Sequence, residues 1–139
     1  MIKRFLVLWV LFLSFPAYGE GSIEDIRIEN PSVRIIGGSI MGAVFVTIIN
    51  QGNTPHVLVG GEIDIAKRAQ IHDVEVKNGV MSMLPLPNGI TIPPNSQVRL
   101  KPGGLHLMMQ GIDVGHKSQA ELILHFEDIG MLKTMVVLD

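Results

Sequence analysis

Two histidines and two methionines of this 139-residue chain stand at spacings that chemistry can use: His72 and Met83 with ten residues between them, and His106 and Met108 two apart. Residues two apart on a strand project from one face, so His106 and Met108 form a His/Met pair on any strand that holds them. Imidazole with thioether is a poor donor set for Zn, Ca or Mg. Thioether sulfur is soft and selects Cu(I), which accepts low coordination numbers and mixed N/S ligands. The chain contains no Cys, so any soft ligand must be Met. The same absence excludes disulfides, lipid anchoring through a first mature Cys, and a blue-copper electron-transfer centre.

The element that must position His72 and Met83 is a hairpin. Asn78-Gly79 is the strongest short signal for a two-residue type I′ turn, which needs positive φ at both central positions. Counting outward pairs Lys77 with Val80, Val76 with Met81, Glu75 with Ser82, Val74 with Met83, Asp73 with Leu84 and His72 with Pro85. Paired residues share a face, so His72, Val74, Val76, Met81 and Met83 lie together, with His72 and Met83 diagonal neighbours roughly 7–8 Å apart at the backbone. A His and a long Met can close that gap onto one ion. Met also fills gaps in aliphatic cores, and a single His beside a strand is more often hydrogen-bonded than metal-bound. Taken from geometry alone, the four residues leave a metal site and plain packing both open. His56, His116 and His125 have no such pairing and are read as hydrogen-bonded residues, next in line as ligands.

Around this hairpin, short aliphatic and β-branched stretches recur between Gly, Pro and Asn, with no sustained helical period. Strands are predicted near residues 25–36, 43–50, 56–63, 69–77, 80–84, 97–100, 106–109, 119–127 and 131–138, a spacing that suits an all-β sandwich or barrel. Turns are expected at Gly37-Gly38 and Asn50-Gln51-Gly52-Asn53, from residues tolerant of positive φ, and at Pro102-Gly103 as a type II turn. Residues 66–69 read as a helical turn or loop. Glu24-Asp25 and Glu127-Asp128 read as solvated turn residues rather than acid/base pairs, and no nucleophile elbow or phosphate loop is encoded.

The first nineteen residues have the form of a secretory signal: Lys3 and Arg4, an apolar run from Phe5 to Leu13, then Ala17-Tyr18-Gly19 before a cut ahead of Glu20. The run is too short to cross a bilayer, so no stable membrane span is expected after cleavage. Residues 20–139 then form one exported domain. Losing Lys3 and Arg4 takes the formal charge from −2 to −4. Mild acidity without a basic run argues against nucleic acid, and Phe45 and Phe126 alone remain as aromatics, too few for a stacking platform.

These residues resemble the periplasmic copper chaperones called PCuAC, whose signature reads His, ten residues, Met, about twenty-one residues, His-x-Met. Here residues 73–82 supply the ten, and residues 84–105 supply twenty-two before His106-Leu107-Met108. The added residue falls in Pro85-Leu86-Pro87-Asn88-Gly89, a turn that absorbs it. Gly79-Val80-Met81-Ser82-Met83, Ile92-Pro93, Leu100-Lys101-Pro102-Gly103-Gly104 and Val46-Thr47-Ile48-Ile49-Asn50-Gln51-Gly52 are similar to the family as well, over roughly residues 24–139. The resemblance implies a cupredoxin-like Greek-key β-sandwich, not an enzyme. It would hold one Cu(I) through His72, Met83, His106 and Met108 and deliver it in the periplasm to a copper-acceptor protein, such as an oxidase copper centre or its assembly factor. The chain stops without the Met- and His-rich tail of many relatives, so a second copper site is not expected. Met81 shares the face of Met83 and could replace it; Met109 points opposite to Met108 and is expected in the core or at a loop tip. The reading from another class is a metal-free exported β-sandwich acting as an adhesion or assembly module.

Overall fold

A computed structural model describes residues 21–138; the expected signal peptide lies outside the described residues. A 3-10 turn, Ile23–Asp25, opens the fold, capped by the Ser22 side chain and closed by Ser22 N–H donating to the Asp25 carboxylate. Ten strands follow: β1 (Ile26–Ile35), β2 (Met41–Asn50), β3 (His56–Ile63), β4 (Ala66–Lys77), β5 (Val80–Pro85), β6 (Ile90–Ile92), β7 (Ser96–Leu100), β8 (His106–Ile112), β9 (Gln119–Phe126) and β10 (Gly130–Val137). No helix among the described residues is long and apolar enough to cross a membrane.

The strands form two antiparallel sheets, as the turn-punctuated aliphatic pattern predicts. One runs β1-β2-β8-β4-β5, with β7 also paired to β2; the other runs β10-β9-β3-β6. Strand β2 organises the first sheet. Its Met41–Val44 half pairs with β8 and its Val46–Asn50 half with β7, while β1 covers the other edge. Alternation follows: Gly42, Val44, Val46 and Ile48 turn inward, and Met41, Ala43 and Phe45 turn outward. Leu107 and Met109 of β8 and Ile71 of β4 join that inner face and meet Leu58, Leu122, Leu124 and Phe126 of the second sheet in one continuous core. Full burial of each such side chain stabilises the fold by about 1.5–3 kcal/mol.

The β4–β5 hairpin has the register read from its turn, from Lys77 opposite Val80 to His72 opposite Pro85. Asn78 and Gly79 have φ of 51° and 76°, the left-handed pair that a type I′ turn requires. Gly103 at φ 80° and Gly104 N–H donating to the Lys101 carbonyl at 3.1 Å make the expected Pro102-Gly103 turn.

Three local expectations are corrected. Residues 66–68 are strand rather than turn, because Ala66 and Arg68 pair with Ile112 and Gln110 across the sheet. The three-residue β6 went unanticipated, since so short a piece between prolines has no room to show alternation. The Asn50–Asn53 turn uses no positive φ among its residues. Instead the buried Asn50 side chain builds it: Gly52 N–H donates to Asn50 Oδ1, and Asn50 Nδ2 donates to the carbonyls of Thr54 and Ile92.

Candidate metal centre

Because Leu107 and Met109 face the core, His106 and Met108 face outward from β8, on the side of the sheet away from the sandwich interior. Cross-strand pairing sets His106 directly opposite His72 on β4, and Met108 between Gln70 of β4 and Ala43 of β2. The two imidazoles stack, centroids 5.9 Å apart and planes inclined by 23°. Although they sit on the outer face, His72 and His106 are only 9% and 4% exposed.

Each ring is fixed by main chain. His72 Nδ1 lies 3.1 Å from the Gln70 carbonyl, and His106 Nδ1 lies 2.8 Å from the Gly104 carbonyl. A carbonyl only accepts, so each Nδ1 carries a proton, and in the neutral ring Nε2 is then the nitrogen with the lone pair, the tautomer a metal ligand needs. For His106 this nitrogen is buried with no hydrogen-bond partner. A buried nitrogen without a partner forfeits about 1–3 kcal/mol of hydration. An ion bound there would satisfy it.

Two clefts meet at His106. One, of about 130 Å³, is lined by Met41, Met83, Met108, Ala43, Ile36 and Arg34 besides His106. The other, of about 180 Å³, is lined by Met81, Met83, Val74, Phe45 and the Pro102-Gly103 turn, again with Arg34 and His106. The β4–β5 hairpin therefore reaches over the outer face, delivering Met83 to both clefts although β5 is the edge strand. Arg34 is the charged side chain common to both, its guanidinium carbon 5.7 Å above the Phe45 ring.

The structure thus gathers Met83, His106 and Met108 at one cleft and stacks His72 on His106 from the β4 side. Met81 lines the second cleft beside Met83, whereas Met109 is fully buried in the core. Among the described residues, no group of three His, Asp or Glu is placed to hold a metal ion. A hard cation has no cage here, and the donors present are imidazole and thioether.

The other histidines lie apart. His56 is fully buried, with Nδ1 3.0 Å from Asp128 and Nε2 3.4 Å from Asp25. Asp25 and Asp128 are accordingly not the purely solvated turn residues expected; they hold a buried ring between two ends of the fold. His125 pairs with Glu62 at 3.0 Å, and His116 is exposed. Sequence reasoning missed Arg34 and Met41. The alternation of Val44, Val46 and Ile48 was enough to turn Met41 outward, but nothing local set β2 beside β8.

The two-sheet sandwich is the fold of solved PCuAC domains. The copper-bound PCuAC domain from PmoF2 superposes with a TM-score of 0.67 at 23% identity, over 88% of this chain and 96% of that domain. CuI-DR1885 from Deinococcus radiodurans superposes with a TM-score of 0.58 at 23% identity, over 78% of this chain and 74% of that one. Residues 26–138 match the family described as “Putative lipoprotein LpqE-like”, and the chain belongs to that family. The “Putative lipoprotein Lxx21020” of Leifsonia xyli subsp. xyli is 36% identical over 75 residues, 54% of this chain. That match spans 45% of the relative's length, less than half of it.

Proposed function

We propose that this protein is an exported copper chaperone that carries one Cu(I) on His72, Met83, His106 and Met108 and passes it to a copper-acceptor protein, with oxidase assembly the destination. The observation that carries the reading is the buried, unpartnered Nε2 of His106 at a cleft lined by thioethers. It is supported by the PCuAC fold shared with the copper-bound PmoF2 domain and with CuI-DR1885. Export is supported by membership in a family described as lipoproteins; the periplasm as destination and cleavage near residue 19 are part of the same proposal.

Transfer, rather than permanent storage, follows from the donor chemistry. Thioethers are neutral and bind without losing a proton, so they hold Cu(I) more weakly than thiolates, and an acceptor with Cys ligands takes the ion downhill. No bond of a substrate is made or broken, and the role is not enzymatic. The purified protein titrated with Cu(I) against a competing chelator should take up one equivalent and ignore Zn(II). Uptake near zero would leave the metal-free module.

A further inference from the structure

The outer face of β2 presents a thioether that the four-residue site does not use. Met41 shares the outward parity of Ala43 and Phe45, and the β2–β8 register sets Met41 opposite Gln110 and Ala43 opposite Met108. Met41 and Met108 are therefore diagonal neighbours, roughly 7–8 Å apart at the backbone. That is the relation that brings His72 and Met83 together. Met has three rotatable bonds and closes such a gap readily. Met41 is half-buried and lines the same cleft as Met83, Met108 and His106.

We propose that Met41 is a further Cu(I) donor, giving the ion a second, thioether-rich position made by Met41, Met83, Met108 and His106. The inference rests on the reading of this face as a copper site and extends it. His72 lies on the β4 side of His106, and Met41 on the β2 side of β8. Moving between the two positions exchanges the His72 imidazole for the Met41 thioether while His106 and the other two Met stay bound. One neutral donor replaces another, so the ion keeps its +1 charge and no proton or electron is transferred. Cu(I) tolerates such three- and four-donor N/S sets. The second position lies beside Ile36, which is 62% exposed, so an ion there is nearer to an approaching acceptor than one bound by both imidazoles.

Protein carrying ¹³C-labelled methionine methyls, titrated with Cu(I) without oxygen and separately with Ag(I), reads each sulfur individually. The methyl signals of Met41, Met83 and Met108 should all move and saturate at one equivalent, while those of Met131 and Met135 on β10 stay still. Met41→Leu, near-isosteric and at a half-buried position, should remain folded by circular dichroism and lower Cu(I) affinity by about tenfold. A Met41 signal that moves with no loss of affinity in Met41→Leu would mark mere proximity and overturn the proposal. Movement of Met83 and Met108 with Met41 still would overturn it and leave the copper reading standing. If none of the three moves, both fall.

Discussion

His56 and His106 are both buried imidazoles on strands of the same small sandwich, yet their environments leave them opposite capacities. His56 has each ring nitrogen facing a carboxylate, Asp128 on one side and Asp25 on the other. Both nitrogens are taken up by protein partners, and the ring ties the opening 3-10 turn to the β9–β10 turn. His106 has one nitrogen engaged by a backbone carbonyl and the other buried and empty-handed. Burial alone does not distinguish a ring locked into the structure from one free to bind. The count of satisfied nitrogens does.

The comparison breaks most sharply if the two residues can be exchanged in their effects. His106→Ala should lower Cu(I) affinity by at least about a thousandfold, near 4 kcal/mol, as read by chelator competition, with a smaller loss of urea stability than the next variant shows. His56→Ala should do the reverse. Losing a buried ring and two hydrogen bonds to carboxylates should cost about 2–4 kcal/mol in urea unfolding, while the folded variant still takes up one Cu(I). If His56→Ala abolishes copper uptake at unchanged stability, the roles assigned to the two rings are wrong.

Met83→Leu with Met108→Leu sharpens the contrast on the sulfur side. Affinity should fall by about a hundredfold, and stability should change by less than about 1.5 kcal/mol, because Leu approximates Met in volume. Inserting one Gly after Gly79 tests the register instead of the ligands. A one-residue slip turns every β5 side chain to the other face, carrying Met83 out of both clefts, and affinity should drop by about tenfold. An unchanged affinity would remove Met83 from the site.

The smallest effect is expected far from both histidines. The Asp64 carboxyl is held below its ordinary range by the hydrogen bond from Lys117, at 2.8 Å, and by the Glu121 N–H. A depressed carboxylate stabilises the fold above its unfolded titration range and loses that contribution as the pH falls through its folded one. Lys117→Ala should therefore cost a few tenths of a kcal/mol at neutral pH, as exposed pairs do. The gap from the parent protein should close in urea titrations at acid pH, and copper uptake should be unaffected.

What could be read in the sequence was what is local. Asn78-Gly79 fixes its own hairpin, so the shared face of His72 and Met83 and the outward pairing of His106 with Met108 were legible before any fold was known. The stacking of His72 on His106 was not, because β4 and β8 meet across thirty-odd residues of intervening chain and no turn sets their register. The same holds for His56, whose carboxylate partners stand 31 and 72 residues away. Met41 and Arg34 reach the site from the first hairpin of the chain, and only the pairing of β2 with β8 brings them there.

Both rings of the candidate site take their orientation from carbonyls two positions back along the chain, at Gln70 on β4 and at Gly104 in the turn before β8. Every residue type provides a carbonyl, so the aiming of the imidazoles needs no companion side chain to be inherited with them. A Cβ at Gly104 would meet its nearest neighbour at 3.7 Å, an ordinary contact. Position 104 can therefore drift without disturbing the ring it holds, and Gln70 contributes its main chain alone. On the proposed copper-carrier reading, the residues around the site can therefore change while the aim of the two imidazoles is kept.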